Sequence, residues 1–372
     1  MKNKICLILN TAPHYRKGIF FKIDQSYDCV WASGHIKNIK DIDWSTFAGE
    51  IVNLKNINLF SNFYWQKGAV TQILRKDISH FVMIGEVYNV SSWLVAAIAK
   101  FRGKKLVFWS HGVYGKEGIF KRLIYRIYWK LPAAGFIYNN RSRSLLTEEC
   151  GVKRDKLVTI YNSLDYDTQL QLRNNCMASD IYSKHFNNNC PNLIFIGRLT
   201  AVKRLDLMID AMKILFYRGF KCNFTLVGDG PVNDSLTKKV AEYNLNGHVW
   251  FFGACYNEKQ NSNLIYNADL CVAPGNIGLT AMHSLMFGCP AATHNNFPMQ
   301  MPEFEAIEDG KSGFFFDYLN AHSIAESIEK WFSRKDYKRN EIRNYCYSII
   351  DTLWNPNNQI KIINNVMKDD KT

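Results

Sequence analysis

Long apolar stretches are missing from this sequence of 372 residues, which has no run close to the roughly 20 apolar residues that a membrane-spanning helix needs. Its ten cysteines are scattered and form neither a CxxC pair nor a zinc-type spacing. Internal repeats and low-complexity tracts are lacking as well. These absences argue against a membrane-spanning helix, a disulfide framework and a repeat protein. We therefore expect reduced, mostly buried thiols and a cytoplasmic protein, either free or at the inner face of the cytoplasmic membrane.

Acidic residues are also scarce, with 33 Asp and Glu against 46 Lys and Arg and a formal net charge of +13. Such an excess points to a polyanionic partner: nucleic acid, an anionic membrane surface or a phosphorylated substrate. A basic but merely solvated surface is the alternative. No nucleic-acid-binding motif is present, so we expect no nucleic acid partner. The basic start of the chain is followed by only five apolar residues, ICLIL, and no cleavage site, which predicts a buried strand rather than a signal peptide.

The chain is long enough for two domains of about 150 to 200 residues each. In the first half, four apolar runs (ICLILN, FVMIG, KLVFWSHG, AGFIYN) read as buried strands, with helical patterns at Ser91–Lys100 and Lys121–Leu131. In the second half, strands with helices between them begin again at Leu193. The predicted fold is α/β, with two doubly wound domains. We expect a first domain at 1–165, an Asn-rich linker at 166–191, a second domain at 192–345 and a helical tail at 346–372 that packs back on the first domain.

The region 193–290 carries the clearest functional signal. It contains LIFIGRLTAVKR, FTLVGDGP and PGNIGLTAMHSLMFGCP, in which short apolar runs end in glycine and lead into polar or helical segments. In parallel sheets, ligands bind beyond the carboxyl ends of the strands, where these glycines fall. Arg198 and Lys203 follow the first of these strands. An anionic ligand, with phosphate as the first candidate, is therefore expected there.

These motifs, together with FWSHG and TIYNSLD in the first half, resemble those of the retaining family 4 glycosyltransferases, which have the GT-B fold. The opening PHYRKGIF is similar to members that build bacterial surface polysaccharides such as capsule or O-antigen. The resemblance implies two Rossmann-like domains facing a central cleft. It also implies a nucleotide diphosphate-sugar donor, a glycan or lipid-linked acceptor, no cofactor and no metal.

By this resemblance, Arg198 and Lys203 neutralise the pyrophosphate as the glycosidic bond breaks, and His111 hydrogen-bonds the donor sugar. These three are the expected catalytic residues, although His111 has a core histidine as its alternative reading. Further donor-binding positions are expected at the strand ends and at the start of the following helix: Gly197, Gly228, Gly253, Asn276, Ile277, Gly278, Leu279 and Thr280. The loop from Gly253 to Tyr256 would border the nucleobase.

The sequence departs from the family at two positions. Family members commonly carry two glutamates eight residues apart, one facing the donor sugar and one holding the ribose, and these positions are Gly275 and His283 in this chain. His283 is a candidate for ribose contact, with a structural histidine as the alternative. Glu303 and Glu305 are candidates to replace the lost carboxylates; they share a face if extended and diverge if helical. Plain acidic residues at a helix start are the alternative.

Two further features of the first half remain open. His14, Tyr15 and Arg16 follow the first predicted strand and are candidates for the acceptor side or the cleft. The segment GIFKRLIYRIYWKLP is an amphipathic helix with basic residues, which suits either peripheral contact with an anionic membrane or ordinary packing on the sheet.

The expected chemistry is attack by the acceptor hydroxyl on the face from which the diphosphate departs, with a phosphate oxygen taking the proton. This route needs no protein nucleophile. Two rival readings remain: a catalytically silent relative acting as a partner subunit or a glycan- or nucleotide-binding protein, and a sugar-nucleotide epimerase. The epimerase would need carboxylates such as Glu86, Glu303 and Glu305.

Overall fold

The computed structural model describes residues 2–37 and 39–368. The chain divides into two compact units, one made of the residues up to Tyr166 together with those from Asn355 onward, and the other of Asp167–Trp354. Within the described residues, no helix is long and apolar enough to cross a membrane.

The first unit is an α/β structure. Its strands are β1 (Lys4–Leu9), β2 (Asp28–Ser33), β3 (Glu50–Asn53), β4 (Lys55–Phe60), β5 (Phe63–Lys67), β6 (His80–Ile84), β7 (Lys105–Ser110), β8 (Ala134–Ile137) and β9 (Leu157–Thr159). Its helices before residue 166 are α1 (Lys17–Ser26), α2 (Ala69–Leu74), α3 (Val90–Phe101), α4 (Ile119–Tyr128) and α5 (Asn140–Glu148). Seven strands form a parallel sheet in the order β3-β2-β1-β6-β7-β8-β9, and β4 and β5 form a separate antiparallel hairpin.

The alternation of side chains in β1 explains why this sheet is covered on both faces. Cys6 and Ile8 belong to one core, which also contains side chains of α2, α3, α4 and α5. Ile5, Leu7 and Leu9 belong to a second core on the opposite face, which contains side chains of α1. An apolar run without polar interruption is therefore what this strand requires.

The second unit is built on a six-stranded parallel sheet. Its strands are β10 (Asn192–Ile196), β11 (Asn223–Val227), β12 (Val249–Gly253), β13 (Leu270–Ala273), β14 (Ala291–His294) and β15 (Gly313–Phe316). The helices along this part of the chain are α6 (Tyr166–Asn174), α7 (Ile181–Phe186), α8 (Leu205–Tyr217), α9 (Asn233–Glu242), α10 (Glu258–Asn267), α11 (Leu279–Met286), α12 (Ala321–Ser333) and α13 (Arg339–Thr352). The strand order is β12-β11-β10-β13-β14-β15, so the winding direction reverses between β10 and β13. In such sheets the crevice for ligands lies at the carboxyl ends of the strands at this reversal.

The segment 166–191, for which a linker was expected, contains the helices α6 and α7. Arg173 of α6 forms an ion pair with Asp351 of α13 at 2.9 Å, so this segment packs within the second unit. The last described helix, α14 (Pro356–Met367), belongs to the first unit, where it packs on α1 and where the Tyr27 hydroxyl donates to Asn364 at 2.7 Å. The expected tail therefore divides, because 346–352 lie in α13.

At the carboxyl edge of the second sheet, neighbouring turns pack backbone against backbone. The N–H of Gly197 donates to Val227 at 2.9 Å, and that of Leu199 donates to Asp229 at 2.9 Å. A Cβ atom on Gly228 would lie 1.9 Å from the carbonyl oxygen of Gly197, and one on Gly230 would lie 2.1 Å from that of Leu199. Glycine is thus needed in the GDGP motif because the turn after β10 occupies the space of a side chain.

We predict that Gly228→Ala lowers the free energy of unfolding by at least about 2 kcal/mol, because it combines a clash with backbone and a φ of 149°. Gly219→Ala is the matched control: its φ is 84° but no atom lies within 4 Å of its added Cβ, so a loss of only about 1 kcal/mol is expected. Urea unfolding of both variants measures this. Equal losses would contradict the assignment of the cost to backbone contact.

Candidate functional site

Lys203 lies at the end of the short 3-10 helix Ala201–Lys203 that follows β10. Its Nζ donates to the backbone oxygen of Asn276 at 2.7 Å and to Asn276 Oδ1 at 2.9 Å. Burial lowers the pKa of the Lys203 ammonium, and the nearby charge of Glu303 acts in the opposite direction. An ammonium group has three donors, and these two bonds use two of them. The lysine therefore joins the loop after β10 to the loop after β13 and brings a positive charge between them.

Arg198 is the exposed residue of the same turn, directly after Gly197. Gly197 has a φ of 148°, which favours glycine and turns the chain as it leaves β10. Across residues 2–37 and 39–368, no carboxylate forms an ion pair with Arg198. The Arg198 guanidinium therefore adds a positive charge to this turn.

Gly275, in the loop after β13, is one of the two positions where a glutamate would be expected by resemblance. The N–H of Gly275 donates to the carbonyl oxygen of Lys203 at 2.8 Å. A Cβ atom here would lie 2.0 Å from the carbonyl oxygen of Val202. No side chain fits at Gly275 with this backbone, because the loop after β10 lies directly against it.

The rest of this loop leads into α11. The N–H of Ile277 donates to Oε1 of Gln300 at 3.0 Å, and the hydroxyl of Thr280 donates to the carbonyl oxygen of Ile196 at 2.9 Å. These two hydrogen bonds thus stabilise the loop and the start of α11. The N–H groups of Gly278, Leu279 and Thr280 lie at the start of α11, where a helix has no internal acceptors and carries partial positive charge.

His283, the second position of the missing pair, faces a carboxylate from another helix. Its Nε2 lies 2.8 Å from Oε1 of Glu258, the first residue of α10, and Gln169 donates to the same oxygen at 2.8 Å. Burial of the Glu258 carboxyl opposes ionisation, but the hydrogen bonds and charge of His283 and the bond from Gln169 lower its pKa to about 2. A negative charge is therefore present beside His283, although it is not attached to α11.

Glu303 and Glu305 lie in the 3-10 helix Pro302–Ala306, so they diverge. Glu303 is buried and its charge acts on Lys203, whereas Glu305 is half-buried. Of the expected replacements, Glu303 is thus electrostatically coupled to Lys203.

Gly253 ends β12 with a φ of 86°, and its carbonyl oxygen accepts from the N–H of Gly228 at 2.8 Å. The loop that follows leads to Glu258 and contains Tyr256, whose side chain is exposed. The turns after β10, β11, β12 and β13 therefore form one connected edge.

In the first unit, His111 lies directly after β7 and close to Arg16, which belongs to the 3-10 helix His14–Arg16 after β1. The guanidinium carbon of Arg16 lies 5.0 Å from the ring centre of Trp109 and 5.2 Å from that of Tyr138, and the rings of His111 and Tyr138 are 4.6 Å apart. Burial, and secondarily the charge of Arg16, lower the pKa of His111 to about 4. Its Nδ1 is buried and has no hydrogen-bond partner among the described residues. At neutral pH His111 is thus an uncharged imidazole.

Of the three residues expected on the acceptor side, Arg16 is the one that lies near His111. His14 is exposed, and its Nδ1 lies 3.2 Å from the carbonyl oxygen of Lys40. Its ring and that of Tyr15 are 5.8 Å apart in an edge-to-face arrangement.

Glu86, at the carboxyl end of β6, is held by neighbours in the first unit. Tyr64 donates to it at 2.8 Å, and Asn10 lies 3.3 Å from both of its oxygens. Burial raises the pKa of this carboxyl, and the two donors act in the opposite direction.

Sequence reasoning missed Glu258, Gln169, Gln300 and Tyr138. No spacing rule connects Glu258 with His283 or Gln300 with Ile277, because each pair belongs to different elements that only the fold brings together. A metal site is not suggested either: no group of three or more His, Cys, Asp or Glu side chains that could hold an ion is found in the described part of the chain.

The depressed pKa of His111 predicts a pH dependence of stability. Between pH about 6.5 and 4 the unfolded chain binds the proton and the folded chain does not, so the free energy of unfolding falls as the pH is lowered through this window, by at most about 3 kcal/mol. His111→Gln should reduce this dependence of the unfolding free energy on pH, as measured by urea unfolding at several pH values between about 4 and 6.5. The control is His322→Gln, at an exposed position of the second unit. Equal slopes for the two variants would contradict the assignment.

Part of the second unit matches a known protein family. Residues 180–348 match the family described as glycosyl transferases group 1. An alpha-D-kanosaminyltransferase of Streptomyces kanamyceticus is 26% identical over 143 residues, which are 38% of this chain and 36% of that protein. A GDP-mannose-dependent alpha-(1-6)-phosphatidylinositol dimannoside mannosyltransferase of Mycobacterium tuberculosis is 31% identical over 102 residues, 27% of this chain and 26% of that protein. The chain thus covers about a third or less of the length of these two curated relatives.

Solved structures match over the full length and share the fold. Anabaena HepE in complex with UDP has a TM-score of 0.70 at 17% identity, covering 98% of this chain and 99% of that one. A glycosyltransferase of Rickettsia africae has a TM-score of 0.71 at 16% identity, covering 99% of each chain. The two parallel α/β sheets are those of the GT-B fold. Residues 180–348 of the second unit therefore match the group 1 glycosyl transferases, and the chain shares its fold with these solved structures.

Proposed function

We propose that this protein is a retaining glycosyltransferase that moves a sugar from a nucleoside diphosphate-sugar to a hydroxyl of a glycan or lipid-linked acceptor. One observation carries the proposal: the Lys203 ammonium, bound to the Asn276 loop at 2.7 and 2.9 Å, lies beside the start of α11 and in the turn that presents Arg198. Two cationic side chains and a helix N-terminus at the strand reversal form a site for a pyrophosphate. The match to the family supports a nucleotide-sugar as the source of that pyrophosphate.

The chemistry requires only modest participation by the protein. The bond between the anomeric carbon and the diphosphate oxygen breaks, and the electron pair leaves with the nucleoside diphosphate, whose charge Arg198 and Lys203 stabilise. The acceptor oxygen forms the new bond on the same face and passes its proton to a phosphate oxygen of the leaving group. Retention follows without a protein nucleophile, so the absence of a carboxylate at Gly275 does not block the reaction.

The pair His283 and Glu258 takes the position of the missing ribose carboxylate in this proposal. The lowered pKa of Glu258 keeps that carboxylate charged at neutral pH, and a charged carboxylate accepts hydrogen bonds from ribose hydroxyls. The exposed loop ending at Asn257 would border the base, directly before Glu258.

His111 contributes as a neutral hydrogen-bonding group to the donor sugar, because its lowered pKa removes the charge at neutral pH. Arg16, next to it, is a candidate for the acceptor side. The relatives leave the sugar and base open: the Anabaena structure contains UDP and the Mycobacterium enzyme is described as GDP-mannose-dependent. A surface polysaccharide acceptor and a lipid-linked acceptor both remain part of the proposal, and a lipid-linked one would bring the protein to a membrane surface.

A catalytically silent relative that binds a glycan or nucleotide is the second candidate, favoured by one observation. The contact of 2.0 Å between a Cβ on Gly275 and the oxygen of Val202 excludes the donor-facing glutamate. An epimerase is less well supported, since Glu86 is occupied by Tyr64 and Asn10 and Glu303 is buried near Lys203.

We predict that Lys203→Ala and Arg198→Ala each weaken binding of the nucleoside diphosphate about 10- to 100-fold, because each removes a charge-assisted contact to pyrophosphate. UDP, GDP and their sugars are titrated calorimetrically, and transfer to glycan and lipid-linked acceptors is followed for the donor that binds. Lys238→Ala, at an exposed position of α9, is the control and should bind like the wild type. Unchanged binding in both site variants would overturn the pyrophosphate assignment. Binding without any transfer would favour the silent relative.

The ribose assignment is tested separately with a nucleoside diphosphate and its 2′,3′-dideoxy analogue. The wild type should prefer the ribose form by about tenfold, and Glu258→Gln should lose most of this preference while retaining affinity for the analogue. Glu242→Gln, at the exposed end of α9, is the matched control. A preference that survives in Glu258→Gln would remove Glu258 from the ribose site.

A further inference from the structure

Helix α4 presents apolar side chains to solvent. Ile119 and Phe120 are 87% and 77% exposed, and Leu123 and Ile127 are about half exposed. Ile119, Leu123 and Ile127 are spaced by four residues and lie on one face of the helix. This is the face that a helix covering a sheet would normally bury, so the arrangement needs another explanation.

The buried face of α4 is formed by other residues. Tyr125 and Tyr128 belong to the core of the first unit, and the Tyr128 hydroxyl lies 2.7 Å from that of Ser92 on α3. The ring of Tyr128 also stacks on Phe108 of β7 with centres 4.7 Å apart. These contacts fix the rotation of α4 and keep the apolar stripe outward.

Helices α2 and α3, whose side chains share a core with those of α4, also carry exposed apolar residues. Phe101, at the end of α3, is 93% exposed, and Leu94 and Leu74 are exposed on α3 and α2. Isolated exposed apolar residues are common, but a cluster on adjacent helices marks an interaction surface.

Basic residues accompany this surface. Residues 116–130 contain five basic residues, of which Arg122 is ion-paired with Glu149 at 2.8 Å, and one acidic residue, Glu117. Glu117 is buried and accepts hydrogen bonds from the N–H groups of Tyr114, Gly115 and Lys116. Its carboxylate is therefore stabilised by the backbone and is not presented at the surface. Arg126 and Lys130 are exposed. Near the end of α4, Lys100 donates to the carbonyl oxygen of Lys130 at 3.1 Å and Lys156 to that of Pro132 at 2.9 Å, which adds further positive charge.

We propose that the outer face of α4, extended by Phe101, Leu94 and Leu74, docks on an anionic phospholipid bilayer. The apolar side chains enter the interface and the basic side chains contact the headgroups, which is how an amphipathic helix lies on a membrane. A protein partner with an apolar groove would not need the surrounding positive charge, and two copies of this basic surface would repel each other. The net charge of +13 also favours attraction of the protein to an anionic surface.

Docking on a membrane would bring the proposed transferase to a lipid-linked acceptor. Only this biological purpose of the surface rests on the proposed function. Binding to lipid itself requires no donor. The two proposals can therefore fail independently.

The test is sedimentation of the full chain with vesicles of phosphatidylcholine and phosphatidylglycerol, compared with phosphatidylcholine alone. The wild type should bind the anionic vesicles more tightly. The double variant Ile119→Ser with Phe120→Ser should lose at least about tenfold in partition coefficient, since it removes most of the buried apolar area. Arg126→Ala with Lys130→Ala should lose about tenfold on anionic vesicles and little on neutral ones.

Tyr217→Ser is the control, because Tyr217 is 94% exposed but ends α8 in the second unit, and it should bind vesicles like the wild type. All substituted side chains are exposed, and unchanged nucleotide binding and thermal midpoints would show that the variants are folded. Failure of the wild type to bind anionic vesicles, or equal binding by the serine double variant, would overturn the proposal. So would light scattering that shows a wild-type oligomer and a monomeric double variant, because the surface would then be an interface between copies.

Discussion

The close packing of strand-end turns in the second unit is the constraint on which the candidate site depends. The turn after β10 is enclosed by the turns after β11 and β13, where Cβ atoms on Gly228 and Gly275 would lie 1.9 and 2.0 Å from its carbonyl oxygens. Backbone hydrogen bonds and the Lys203–Asn276 contact fix the same three turns. The cations at 198 and 203 and the first N–H groups of α11 are consequently held at one edge before a ligand arrives, so little ordering is needed on binding.

This packing also changes how the family pattern should be understood in this chain. The glutamate position at Gly275 is closed to any side chain, whereas the position at His283 is paired with Glu258 from α10. One carboxylate is thus excluded by backbone contact, and a carboxylate from a different helix, with a pKa lowered to about 2, lies beside the other position. A transferase in which the diphosphate itself accepts the proton tolerates both changes.

The two-sheet α/β fold could be predicted from the sequence because continuous apolar runs such as ICLILN and LIFIG are what strands buried on both faces require. The helices at 166–191 were not predicted, since their polar, Asn-rich sequence lacks an apolar stripe and they are held by contacts such as Arg173 with Asp351. The positions of Arg198, Lys203 and the glycine turns beyond strand ends could also be predicted, because each follows an apolar run; their roles remain predictions. Glu258 and Gln300 could not be predicted as site residues, because their partners lie 25 and 23 residues away on other elements. For α4 the amphipathic pattern was evident, but the fold determined that the tyrosines are buried and the Ile119 face is not.

The most direct test of the central claim is a crystal structure of the protein with the nucleoside diphosphate that it binds. The account predicts pyrophosphate oxygens within about 3 Å of Lys203 Nζ and of an N–H group at the start of α11, with the Arg198 guanidinium on the same group. A pyrophosphate bound elsewhere in the molecule, with the turns after β10 and β13 empty, would contradict it.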